Sequence, residues 1–171
     1  MESGPPAPQR VPADPAATRA FAEEAITRCE ATIARAASFS EDELQRRVED
    51  EWSTVESLRH LVLVIDLWIS KTILGVDDLH PMALPPHFVP AGALAVDPEA
   101  RPSFTQACAV LRSRFERLRT SAASVDAAEL ARPIQSHAQN IAGAFAVCFD
   151  EFAAHDSFMN RDLDAIKASR P

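Results

Sequence analysis

The sequence predicts an all-helical fold, a four-helix bundle, on three observations. Only four of its 171 residues are glycine and tyrosine is absent, a balance that favours helix over sheet. Apolar residues recur at three-to-four-residue spacing in separate stretches. Three Ser-x-x-Glu or Ser-x-x-Gln boxes, which satisfy the free amides at a helix start, stand ahead of helical stretches. The length suits one domain, and 47% hydrophobic residues is far too much for a disordered chain.

Residues 1–15 carry Pro5, Pro6, Pro8, Pro12 and Pro15 and are expected to form a flexible arm ahead of a single domain over 16–171. The first helix is expected from near Ala16 to Ser38, with Phe21, Ala25, Cys29, Ile33 and Ala36 as its stripe. The box Ser40–Glu43 predicts a short extra turn. The box Ser53–Glu56, just after Trp52, opens a second helix running to about Leu74, with Gly75 in the cap position. Its stripe is Val55, Leu58, Val62, Ile65 and Ile69, and its middle is apolar on nearly every face.

Six prolines between residues 76 and 102 exclude helix and central strand, and predict a long crossover between helices that are not antiparallel neighbours. The box Ser103–Gln106 opens a third helix with Phe104, Cys108, Leu111, Phe115 and Leu118 as its stripe. Arg112, Arg114, Glu116, Arg117 and Arg119 on its other faces read as a solvated surface. A short turn follows Asp126, and a fourth helix is expected from about Gln139 to Ile166. The segments Asp42-Glu43-Leu44 and Ala128-Glu129-Leu130 echo each other between helices, which fits two helical hairpins packed together.

The net charge of −8, with basic residues interleaved among acids, argues against DNA or RNA as a partner. Cys29, Cys108 and Cys148 are odd in number and lie in helical patterns without CxxC spacing, which fits a reducing compartment. No basic-then-apolar leader opens the sequence, and Asp66 interrupts the longest apolar run, so a cytoplasmic protein without a membrane span is expected.

Two anomalies carry chemistry. His155 falls inside the apolar stripe of the fourth helix, with Glu151 one turn before it on the same face. Taken alone, this pair has a simple explanation: Glu151 reaches water at the stripe's edge and hydrogen-bonds His155. His60 lies in the apolar middle of the second helix, pointing away from its main stripe, and alone it reads as a satisfied, partly buried residue. Together the three form a His₂Glu set from two helices able to face each other. Such a set leaves positions open for water or substrate, the catalytic arrangement for zinc. Nickel, iron or manganese suit the same nitrogen and oxygen ligands. Asp162, two turns on, is a weaker candidate to support the site, with a surface ion pair as its simpler explanation. His80, His87 and His137 have no ligand-like partner at helical spacing. The cysteines fit apolar stripes, and no nucleophile elbow, phosphate loop or dinucleotide fingerprint is present.

Trp52-Ser53 followed by Glu56-x-x-x-His60-Leu61, with Trp68 further along, resembles the second-helix signature of the DinB-like superfamily. The stretch from Glu151 through His155 to Arg161-Asp162-Leu163 resembles that superfamily's last helix. The resemblance covers most of the chain after residue 16. It implies a four-helix bundle with a long crossover between helices two and three, and one divalent metal held at the positions of His60, Glu151 and His155. Glu151 stands where the commonest pattern has histidine, which is similar to the mycothiol-dependent maleylpyruvate isomerase branch. Related branches include S-transferases and isomerases working with low-molecular-weight thiols such as mycothiol or bacillithiol, and metal-dependent hydrolases. A homodimer is a further expectation from the resemblance. Three functions therefore stand open: a metalloenzyme acting on a small molecule, a non-catalytic binding bundle with a buried polar cluster, and a bundle using metal only for structure.

Overall fold

A computed structural model describes residues 10–90 and 92–170. Six α-helices follow in order: α1 (Pro15–Ala36), α2 (Glu41–Gln45), α3 (Thr54–Val64), α4 (Phe104–Ser124), α5 (Ala127–Ala131) and α6 (Ile141–Ala168). The long ones are α1, α3 with its continuation, α4 and α6, and they share one apolar core.

The helix starts follow from local chemistry. Ser40, Ser53 and Ser103 each accept from the amide three residues on, and Glu43, Glu56 and Gln106 reach back, so all three boxes are formed. The first helix starts at Pro15, beside the expected Ala16. Asp14 caps it and Pro15 occupies its first turn, where a missing N–H costs nothing. The arm is therefore not wholly flexible: Arg10 pairs with Glu24 and lies over the Phe21 ring, and Pro12 is buried. Residues 1–9 of the expected arm lie outside the described residues.

Helix α3 continues without a break as a π-helix over Ile65–Ile73. Such segments normally last a single turn and cluster at functional sites. The Thr72 hydroxyl donates to the Leu67 carbonyl inside it, competing with the backbone ladder. The segment ends at Leu74, and Gly75 follows at φ +69°, as its cap position requires.

Side-chain pairs fix the directions of the four long helices. Glu30 meets Arg112 and Glu23 meets Arg119, so α1 and α4 are antiparallel. Arg28 meets Asp156 and Arg35 meets Asn160, so α1 and α6 are parallel. Asp66 meets Arg114 and Ser70 meets Arg117, so the second long helix is parallel to α4. Helix α1 packs on α4 and α6, and the second long helix packs on the same two. The order around the bundle is thus α1, α4, α3, α6. This corrects the expectation of two packed hairpins: the partners of each expected hairpin, α1 with the second long helix and α4 with α6, face each other across the diagonal. It bears out the crossover, because parallel neighbours need a connection that returns the length of a helix.

Arg59 anchors that crossover. It is 1% exposed, and its guanidinium donates to the carbonyls of Met82, Asp97 and Pro98. These bonds satisfy a buried cation with backbone oxygens instead of a carboxylate. No helix among the described residues is long and apolar enough to cross a membrane.

Candidate metal centre

His60 and His155 come from facing, antiparallel stretches of the second long helix and α6, and each is only 6% exposed. Glu151 lies one turn before His155, with its side chain at the edge of the buried region. Its Oε2 is 3.7 Å from Nε2 of His60 and 3.7 Å from Nε2 of His155. One ligand atom from each of the three lies within 4.8 Å of the others.

The imidazoles are held in place from behind. Nδ1 of His60 is 2.9 Å from the Leu84 carbonyl, which can only accept. Nδ1 therefore carries a proton, which leaves Nε2 as the ring atom that faces Glu151. The Leu84 amide in turn donates to the Arg59 carbonyl, so this contact is a two-way tie between helix and crossover. His155 is set by rings. Trp52 stacks on it at 5.7 Å and 19°, and the Phe158 ring meets it edge-on at 5.8 Å. Trp52 also lies 4.8 Å from the His60 ring, so one indole braces both imidazoles. Nδ1 of His155 is buried with no hydrogen-bond partner among the described residues.

Burial pushes His155 down to about 4, with the nearby His60 adding to the shift and Glu151 opposing it. The ring is neutral at neutral pH and its lone pair is free to act as a ligand. The Glu151 carboxyl is held below its ordinary value, the approach of the His60 N–H-bearing ring outweighing the cost of burial, although at 3.7 Å the contact is longer than a formed hydrogen bond. The donor set fits a divalent ion. Atoms bonded to zinc at roughly 2.1 Å at tetrahedral angles stand about 3.4 Å apart, close to the 3.7 Å from the Glu151 oxygen to each imidazole. They are also too far apart to be hydrogen-bonded to one another.

The three residues lie on a cavity of about 1030 Å³ between the second long helix, α6 and the crossover. Trp52, Trp68, Phe88 and Phe158 contribute flat apolar walls, and His87 and His137 also line it. Asp162 is placed otherwise. It is buried, not at the helix surface, and its carboxylate bonds the neighbouring Arg161 at 3.3 Å. Burial raises its pKa, with Arg161 opposing. His80 accepts the Met82 amide through Nδ1 and lies outside the cavity lining. All three cysteines are free and buried, and burial raises each thiol, Cys108 to about 11, which removes them as nucleophiles.

Sequence reasoning misses two roles. Trp52 enters only as part of the family signature, and its contact with both imidazoles gives no periodic signal because it precedes the helix cap. Asp66 registers only as an interruption of an apolar run, yet it is fully buried and accepts from Arg114 at 2.8 Å and from the His80 amide at 2.9 Å. Arg114 is accordingly not part of a solvated face. Its side chain is largely buried against Asp66, with Arg117 behind it.

Fold and site together define a helical-bundle protein with a buried histidine–carboxylate group able to hold a metal ion. The family model of the DinB superfamily matches residues 25–159, and the chain belongs to that superfamily. No curated protein and no solved structure matches the chain.

Proposed function

We propose that this protein is a divalent-metal-dependent enzyme acting on a small molecule, by thiol transfer, isomerisation or hydrolysis. The observation that carries the reading is the spacing at the cavity floor: both Nε2 atoms stand 3.7 Å from one carboxylate oxygen. A purely structural polar cluster would close those gaps into hydrogen bonds, since unsatisfied buried polar groups are costly. Held apart beside a large cavity, the three atoms suit an ion with open positions facing a substrate. Zinc is the ion of choice, and nickel, iron or manganese fit the same donors.

The chain's own residues have distinct tasks. His60, fixed by the Leu84 carbonyl, and His155, kept neutral by burial, would present lone pairs. Glu151 would supply negative charge and, being half-exposed, faces the cavity. Trp52 and Phe158 exclude water from the two imidazoles. When bound, the metal lowers the pKa of a coordinated thiol or water and so supplies a nucleophile near neutral pH. The thiol would be a low-molecular-weight one of the mycothiol or bacillithiol type, consistent with the superfamily.

The test is elemental analysis of untagged protein beside the His155→Ala variant, with circular dichroism to verify that the variant folds. The expected result is about one transition metal per chain in the wild type and none in the variant. Wild-type protein that stays metal-free after zinc and nickel are supplied would move the assignment to a non-catalytic bundle.

A further inference from the structure

The cavity has a charge pattern unlike the rest of the chain. The sequence holds 17 Lys and Arg against 25 Asp and Glu, so an average surface mixes both signs. Among the described residues lining the cavity there is no Lys or Arg, whereas Glu49, Asp50, Glu51 and Glu151 all contribute. The first three are exposed and, among the described residues, form no ion pair. Basic side chains close to them in sequence are engaged elsewhere: Arg47 grips Glu56 through two hydrogen bonds, and Arg46 donates to Ser169.

These carboxylates border a site with other marks of ligand binding. Trp52, Trp68, Phe88 and Phe158 line it, and it reaches His155, whose buried Nδ1 has no hydrogen-bond partner among the described residues. Aromatic faces carry negative quadrupole potential and attract cations, and low-dielectric walls focus the field of charges around an opening. An anionic group entering would meet Glu49, Asp50 and Glu51 and, among the described lining residues, no Lys or Arg side chain.

We infer that the molecule entering this cavity carries an organic cation, a protonated amine or quaternary ammonium, on an apolar body. The ammonium is held toward Glu49, Asp50 and Glu51, and the reacting end reaches His60 and His155. The inference rests on the proposed function only in taking this cavity as the substrate pocket.

The chain's only two tryptophans, Trp52 and Trp68, both line the cavity, so intrinsic fluorescence reports on it directly. The experiment titrates metal-free protein with three probes of similar shape: 2-phenylethylamine, 2-phenylethanol and phenylacetate. The amine is expected to quench with about tenfold tighter affinity than the alcohol at low salt, and phenylacetate to bind weakest. High salt should shrink the spread severalfold. The triple variant Glu49→Gln, Asp50→Asn, Glu51→Gln changes only exposed side chains. It should cut the preference for the amine to less than about threefold while leaving binding of the alcohol and metal content unchanged. Equal affinities for amine and phenylacetate, an unchanged preference in the variant, or no quenching by any probe would overturn the inference. Metal content is measured separately: a chain without metal that keeps the amine preference sinks the enzyme reading alone, and a metal-replete chain without the preference sinks this one alone.

Discussion

Replacing Asp66 by Asn should cost about 3 kcal/mol of folding stability. Asp66 is 0% exposed, and its two oxygens accept from Arg114 and from the His80 amide. Asparagine keeps the volume and one acceptor but removes the charge. The guanidinium of Arg114, 11% exposed at its side chain, then lacks a counter-ion. Breaking a buried pair from one side costs about 3–5 kcal/mol. The low end applies because Arg117, the other cation beside Asp66, is 27% exposed and can turn to water. For a chain of this size that lowers Tm by roughly 6–12 °C. The assay is urea unfolding followed by tryptophan fluorescence and circular dichroism, with chelator throughout so that metal occupancy is constant. The double variant Asp66→Leu, Arg114→Leu removes both charges and should recover stability to within about 1 kcal/mol of wild type, the remainder being the His80 amide left unpaired. A cost below about 1 kcal/mol for Asp66→Asn, or a double variant as unstable as the sum of its singles, would refute the reasoning.

Stability of the metal-free protein should fall as pH drops from about 6.5 toward 4. His155 takes up a proton near 6.5 when unfolded and near 4 when folded, so across that window the unfolded chain binds more protons and acid favours it. The shift corresponds to about 3 kcal/mol, fully present above 6.5 and lost by the lower limit; Glu151, also depressed, acts in the same direction below it. His155→Phe, which continues the apolar stripe, should flatten the profile, and the same slope in wild type and variant would exclude His155 as its source. Trp52→Leu keeps an apolar group at the cavity but removes the ring that braces both imidazoles. Zinc affinity, read by competition with a chelating dye, should weaken about tenfold with the helix content unchanged, and an unaltered affinity would remove Trp52 from the positioning role.

Much of the architecture is legible in the sequence because helix starts are local events. A Ser and a Glu or Gln three residues on satisfy each other's amides whatever the rest of the chain does, so Ser40, Ser53 and Ser103 mark true starts. Pro15 misleads because proline counts as a breaker everywhere except the first turn, the place it occupies. The π-helix is illegible because an all-round apolar segment reads the same at either pitch. Neighbour order is illegible because a stripe says that a face is buried, not against which helix. The ligand set shows because an imidazole inside an apolar stripe is conspicuous. The cavity walls do not, since Phe88 and Leu94 come from a proline-rich connection with no period to follow. Asp66 carries a usable signal: a carboxylate within an apolar run must have a partner. Its partner is hidden because Arg114 stands among four other charged residues of α4.

The topology also explains how distant positions make one site. With the order α1, α4, α3, α6, the second long helix and α6 are antiparallel neighbours, so a residue near position 60 meets residues near 151 and 155 without any local motif. The same order makes the second long helix parallel to α4. A helix of about 20 residues is roughly 30 Å long, and the chain must retrace that length before α4 can start. The returning crossover passes over the face where His60 lies. Arg59 fixes it by three carbonyls, the Leu84 carbonyl fixes the His60 tautomer, and Phe88 and Leu94 supply part of the cavity wall. The connection that the parallel pairing requires is therefore also what orients one candidate ligand and encloses the pocket beside it. Arg59 and His60, adjacent in sequence and both buried, join these two tasks at one point of the helix.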